Sequence, residues 1–136
     1  MHPEFQYPIT FLPCHDLLEV EKFYNGILHL PIALKQHSCV IFQVGRENIA
    51  AYWGFCTHYN EMLYPPENVF LTLVVNSRKQ VDEWHEELIS KNISCIKRPQ
   101  YNSTYRIYQA LYRDPIKYTI EIQAFDPGAE PQRVHL

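Results

Sequence analysis

Hydrophobic and polar positions along this chain fall into two rounds of one pattern. Residues 9–12 form a short apolar run that reads as a strand, and Pro13 ends it. Asp16 follows with Glu19 three residues on, a capping box that opens a helix. Leu17, Val20, Tyr24, Ile27 and Leu28 recur at helical spacing and so bury one face. Gly26 lies late in that helix, and Leu30-Pro31 stops it. Three strand-like runs come next, over 32–35, 40–44 and 48–53, with Gly45-Arg46-Glu47 turning between the last two. Residues 54–67 read as a loop and the best linker, carrying Cys56, His58, Tyr59 and Pro65-Pro66.

The pattern then restarts. Residues 69–75 read as a strand, Ser77 caps a helix with Gln80 at the capping-box position, and Val81, Trp84, Leu88 and Ile89 give that helix its apolar face. Asn92 suits a left-handed helix end. Strands follow at 93–96, 107–113 and 118–125, with a Tyr-rich loop over 101–105. The chain is thus an α+β protein of two tandem strand-helix-strand-strand-strand modules, about 8–54 and 68–125. They sit in one domain, 1–126, joined by a linker over 55–67. A tail over 127–136 carries two prolines and a glycine and reads as loose or surface-lying. Sliding the chain against itself sets Ile9 on Phe70, Asp16 on Ser77, Val20 on Val81 and Phe23 on Trp84. Neither half can bury its sheet alone, and two such sheets facing one another enclose a cleft.

The last strand carries the chemistry. Thr119, Glu121 and Gln123 share one face of the alternating run 118–125, and Tyr118, Ile120, Ile122 and Ala124 share the other. A carboxylate between two polar residues, backed by an apolar face, fits a strand lining a wet cavity. An edge strand with its polar side in water gives the same alternation.

Composition narrows the function classes. The 136 residues suffice for one domain with a core. The formal net charge of -3 comes with no basic stretch to meet phosphates, so no nucleic-acid partner is expected. No apolar run reaches membrane-spanning length and no signal peptide is visible at the N-terminus. The four cysteines, Cys14, Cys39, Cys56 and Cys95, form no C-x-x-C pair and read as reduced thiols packed in a cytoplasmic protein.

The segments Cys14-His15-Asp16-Leu17, Glu21 to Pro31, Phe70 to Ser77 and Tyr112-Arg113-Asp114-Pro115 with Ile120-Glu121-Ile122 resemble motifs of the vicinal oxygen chelate superfamily. That superfamily includes glyoxalase I, extradiol dioxygenases and bleomycin-resistance proteins. The resemblance runs from about Pro8 to Phe125. It implies a cupped, eight-stranded mixed sheet and, in metal-dependent members, one ligand from the first and last strand of each module. Those places fall here on Ile9, near Tyr52 (with one residue of latitude), on Phe70 and on Glu121. Only Glu121 is a donor of the expected kind, so no cofactor is expected; a divalent metal would have to recruit other groups. The turn after Asp114-Pro115 also departs from the family, with Ile116-Lys117-Tyr118 where Gly and Asn are usual.

Three functions follow as expectations. The first is a binding protein that holds a small aromatic or cationic molecule, with two protomers pairing as a homodimer. Its expected ligand-binding residues are Ile9, Phe11, Tyr52, Trp53, Phe70, Thr72, Tyr105, Tyr108, Glu121 and Gln123. The second is an enzyme similar to lactoylglutathione lyase, with Glu121 as catalytic base and the enediolate burden falling on Arg106 or Tyr108. The third is a regulatory module whose cleft is filled by Ile9, Tyr52 and Phe70. A Glu121 paired with Arg106, Arg113 or Lys117 would be structural instead.

Overall fold

The structure, a computed structural model, describes residues 3–46, 48, 51–59 and 66–132. The expected linker positions 60–65, the expected strand positions 49–50, Glu47 of the expected turn and the last four residues of the tail lie outside the described residues. The chain divides into two compact units, Met1–Tyr64 and Pro65–Leu136.

The first unit runs β1 (Ile9–Pro13), α1 (Leu17–Glu21), β2 (Ile32–Lys35), β3 (Cys39–Val44) and β4 (Ala51–Cys56). Its sheet has the order β1-β4-β3-β2, with β1 parallel to β4 and the other pairs antiparallel. The Asp16 carboxylate accepts from the amides of Leu18 and Glu19, filling two donors that the helix start leaves bare. After Glu21 the helix widens over Lys22–Ile27, and the Leu28 amide reaches back five residues to the Phe23 carbonyl. His29 then takes a left-handed φ of 61°, which ends the helix before Leu30-Pro31. Phe23 and Tyr24 are both buried, and the Tyr24 ring meets Phe42, Trp53 and Phe55 from the sheet.

The second unit opens with a tight helical turn at Pro66–Asn68. It continues as β5 (Phe70–Val74), α2 (Arg78–Ser90), β6 (Ser94–Asn102), β7 (Ile107–Arg113) and β8 (Thr119–Phe125). The order β5-β8-β7-β6 repeats that of the first sheet, again with one parallel pair, β5 with β8. Ser77 caps α2 by accepting from the Gln80 amide, while the Gln80 side chain accepts from the Asn76 amide. Val81 and Leu88 of α2 are buried, as are Leu71, Ala110, Tyr112, Ile120, Ile122 and Ala124 of the sheet. Asn92 ends the helix with φ at 59°. Two tandem βαβββ modules, eight strands in all, make this an α+β fold.

Two boundaries differ from the sequence reading. Phe55 and Cys56 belong to β4 and are buried, not part of a linker. Gly54 looks like punctuation but sits mid-strand, where its missing side chain admits the Phe11 ring; a Cβ there would lie 2.7 Å from two ring carbons. β6 runs on to Asn102 through Pro99, which an edge strand tolerates, and the register slips between Lys97 and Gln100. Tyr101 is therefore in a strand, and the loop shrinks to a turn closed by Arg106 at φ 56°.

The departure at residues 114–118 also resolves. The buried Asp114 carboxylate accepts from the amides of Ile116 and Tyr118, and Lys117 takes the positive φ, 79°, that glycine would supply at no steric cost. Ile116 is buried within this chain, so it needs no second subunit to cover it.

The expectation of four reduced thiols is corrected as well. Cys39 and Cys56 are joined as a disulfide, and Cys14 and Cys95 lie outside it. The pair lies 17 residues apart in sequence, and only the β3–β4 register makes the two partners. No helix among the described residues is long and apolar enough to cross a membrane.

Candidate functional site

In the second unit, α2 covers one face of the sheet, and the other face carries the polar residues of β8. Glu121 stands opposite Thr72 on β5 and Leu111 on β7, and Gln123 stands opposite Gln109. The Thr72 hydroxyl donates to Oε1 of Glu121 at 2.7 Å, and the Gln109 amide donates to Oε2.

The direction of these bonds is set from a distance. Backbone amides of Thr104 and Tyr105, in the β6–β7 turn, donate to Oδ1 of Asn102. That leaves the Asn102 NH2 to donate to Oε1 of Gln109 at 3.2 Å. Gln109 must then turn its own NH2 toward Glu121. Glu121 is an acceptor on both oxygens, fixed by a relay that starts at the backbone.

Glu121, Gln109 and Gln123 are each nearly buried, at 8%, 8% and 9% exposure. Phe70 and Val74 flank Thr72 along β5 and are exposed. Neither donor to Glu121 is a cation, and no Lys, Arg or His among the described residues forms an ion pair with it. Two of the three candidate structural partners are occupied elsewhere. Arg113 donates to the Thr119 hydroxyl and to the carbonyls of Glu67 and Lys117, and Arg106 reaches Asp126 and the Pro127 carbonyl.

In the first unit, the face opposite α1 carries Ile9 and Phe11 of β1, Tyr52 and Gly54 of β4, and Ile41 and Gln43 of β3. Ile9 stands opposite Tyr52, and Phe11 opposite Gly54. The Tyr52 ring packs with Cys39, Ile41 and Cys56, and Tyr7 meets it edge-on with centroids 5.0 Å apart.

Register refines the four places that the resemblance marks. The partner of Glu121 across the parallel pair is Thr72, two residues beyond Phe70, which pairs with Thr119. The equivalent pair in the first unit is Phe11 with Gly54, not Ile9 with Tyr52. The second unit offers one carboxylate and one hydroxyl at these places, and the first a phenyl ring and a glycine; neither set supplies the three or four N, O or S donors such a metal needs. No group of three His, Cys, Asp or Glu that could hold a metal exists among the described residues.

The structure places three of the expected ligand-binding residues off the polar faces of the sheets. Trp53 lies on the helix-covered face of its sheet, edge-on to Tyr24. Tyr108 lies on the α2 side of its sheet, where its hydroxyl donates to Asp82 and its ring lies under Arg78. Strand parity puts residues 108 and 121 on opposite faces, so Tyr108 cannot serve Glu121 as an oxyanion donor. Arg106, held at Asp126, cannot either. Tyr105 is exposed at the turn, where its backbone, not its ring, joins the relay.

Sequence reasoning missed Gln109 and Asn102. Gln109 is the one polar residue inside the run Ile107 to Leu111, which is a usable signal; Asn102 shows none before the β6–β7 register is known. It also missed a cluster on the α2 side. Arg78 stacks over Tyr101, and Asp126 accepts from Arg78 and from the Tyr101 hydroxyl. The bond to Asp126 holds the Tyr101 phenol above its usual range, and Asp82 does the same for Tyr108.

No family model matches the sequence, and no curated protein does. Solved structures do. A glyoxalase/bleomycin resistance protein/dioxygenase family enzyme from Burkholderia phytofirmans is 18% identical, with a TM-score of 0.72 over 87% of this chain and 97% of that one. A lactoylglutathione lyase from Agrobacterium tumefaciens is 19% identical, with a TM-score of 0.71 over 94% and 97%. A glyoxalase-related enzyme from Fulvimarina pelagi is 15% identical, with a TM-score of 0.73 over 90% and 88%.

Proposed function

We propose that this chain, which has the glyoxalase/bleomycin resistance fold of the vicinal oxygen chelate superfamily, binds a small aromatic or cationic molecule without a bound metal. One observation carries the reading. The Glu121 carboxylate is nearly buried, yet it is met only by two neutral donors and by no ion-pairing cation among the described residues. A buried charge without a counter-ion is costly for a protein to keep and serves no packing purpose. A cationic ligand would supply the missing charge at the lone pairs that Thr72 and Gln109 leave free. The exposed Phe70 ring, on the same face, offers a stacking surface beside it.

The donor set at the register-matched places argues against the metal-assisted proton transfer of a glyoxalase. Arg106 and Tyr108, the only substitutes that chemistry had, are engaged away from Glu121. A homodimer belongs to the same reading, since β2 and β6 each stand at an edge of their sheet. Light scattering returning twice the chain mass would support it.

Titration calorimetry with a panel of cationic aromatic dyes and a cationic glycopeptide tests the proposal. The expected result is saturable heat for at least one cation, weakened tenfold or more in Glu121→Gln. Binding that is equal in both proteins, or absent across the panel at millimolar concentration, refutes it.

A further inference from the structure

The ladder of the first unit ends on two sulfurs. Cys39 and Cys56 are the terminal partners of β3 and β4, joined as a disulfide. Beyond them the Thr57 amide donates to the Ser38 carbonyl, so the cysteines occupy a non-hydrogen-bonded position of the ladder. Their Cα atoms are 4.2 Å apart, in keeping with the close approach of such positions. The register continues through five further pairs to Val44 and Ala51. Proximity of the sulfurs is therefore a property of the sheet. The hairpin closes the 17-residue separation whether or not the bond is present.

From this placement we infer that Cys39 and Cys56 form a reversible dithiol–disulfide site that exchanges electrons with a low-molecular-weight thiol and its disulfide. In the reducing direction, a thiolate attacks one sulfur of the pair and forms a mixed disulfide, releasing the other cysteine. A second thiol then displaces the first from the protein. Two thiols become one small disulfide, and the protein gains two electrons and two protons. The reverse reaction uses the same atoms, with the second cysteine of the pair displacing the small thiol. It is favoured because the ladder keeps that cysteine in place.

Two further observations support the assignment. The sulfurs are buried, but they sit at the last rung, where Thr57, His58, Tyr59 and His37 border water. Fraying of one rung admits a small thiol without unfolding the sheet. The pair is also one cluster with Ile41 and the half-buried Tyr52, on the face that carries Phe11. Its redox state is therefore transmitted to the packing of Tyr52. Cys14, buried in the same unit, and Cys95, in the other, are not disulfide-bonded and serve as internal references. The inference does not depend on the proposed ligand.

The test equilibrates the full chain in glutathione buffers spanning fully reduced to fully oxidised. Acid quenching, alkylation and peptide mass analysis then read each cysteine. Cys39 and Cys56 are expected to change together in one two-electron transition that reverses completely, while Cys14 and Cys95 stay thiols. Amide exchange at residues 36–40 and 54–58 should rise several-fold on reduction, with β8 unchanged. A pair that stays thiol in the most oxidising buffer overturns the proposal, as does one that stays bonded in the most reducing. Loss of protected amides throughout the first unit on reduction also overturns it, because the bond would then be a structural staple. Cys39→Ser/Cys56→Ser supplies the second measurement: it should fold and match the exchange pattern of the reduced protein.

Discussion

Replacing Thr72 with valine removes one hydroxyl and almost no volume, so it isolates the 2.7 Å bond to Oε1 of Glu121. The acceptor is a carboxylate with 8% exposure. Hydrogen bonds to charged groups contribute about 1.5–3 kcal/mol. Thr72 is only half buried, so water replaces part of the lost donor, and the expected cost falls at the lower end, about 1.5–2 kcal/mol. In a Glu121→Gln background the same hydroxyl meets a neutral amide, and its loss should cost about 0.5–1 kcal/mol. The difference, about 1 kcal/mol, is the coupling between the hydroxyl and the charge. Urea unfolding of wild type, the two single variants and the double variant, followed by far-ultraviolet circular dichroism, measures it. Glu121→Gln alone should leave stability within about 1 kcal/mol of wild type, because it deletes a charge that no cation balances. A Thr72→Val cost under about 0.5 kcal/mol, the range of ordinary surface changes, would refute the reasoning. So would an equal cost in both backgrounds. A Glu121→Gln loss above about 3 kcal/mol, the scale of breaking a buried pair, would recast the carboxylate as structural.

Gly54→Ala sets a Cβ 2.7 Å from the Phe11 ring and should cost about 1–2 kcal/mol in thermal unfolding, with much of it recovered by adding Phe11→Leu. Lys117→Gly relieves a side chain held at φ 79° and should stabilise the fold by about 0.5–1 kcal/mol, read as a higher urea midpoint. Burial raises the Tyr112 phenol from its ordinary 10.0, with Cys95 and Asp82 adding to the effect. A raised folded value means that its contribution is full below about pH 10 and is lost as pH climbs toward that value. Absorbance at the tyrosinate band should therefore show one tyrosine titrating last, alongside falling stability; early titration of all ten would contradict it.

Local chemistry was legible wherever it acts within a few residues. The Asp16 and Ser77 caps, the left-handed Asn92 and the strands at 32–35 and 107–113 all follow from side chains competing for nearby backbone groups or from simple alternation. The end of β4 was misread because Gly54 breaks strands on its own terms, and only the Phe11 ring on a neighbouring strand makes it a fitting residue there. Residue type alone groups Trp53 and Tyr108 with the other aromatics, whereas strand parity sets them on the helix-covered faces.

The amino-acid order alone determined the duplicated module, the position of its helices and the polar face of β8, because each is written in periodicities of two or 3.6 residues. Pairing between strands decided the rest: that Thr72 rather than Phe70 meets Glu121, that Gln109 and Asn102 orient it, and that Cys39 and Cys56 touch. Register is a relation between distant segments, fixed by how two hydrophobic faces bury at once, and no single stretch of chain contains it.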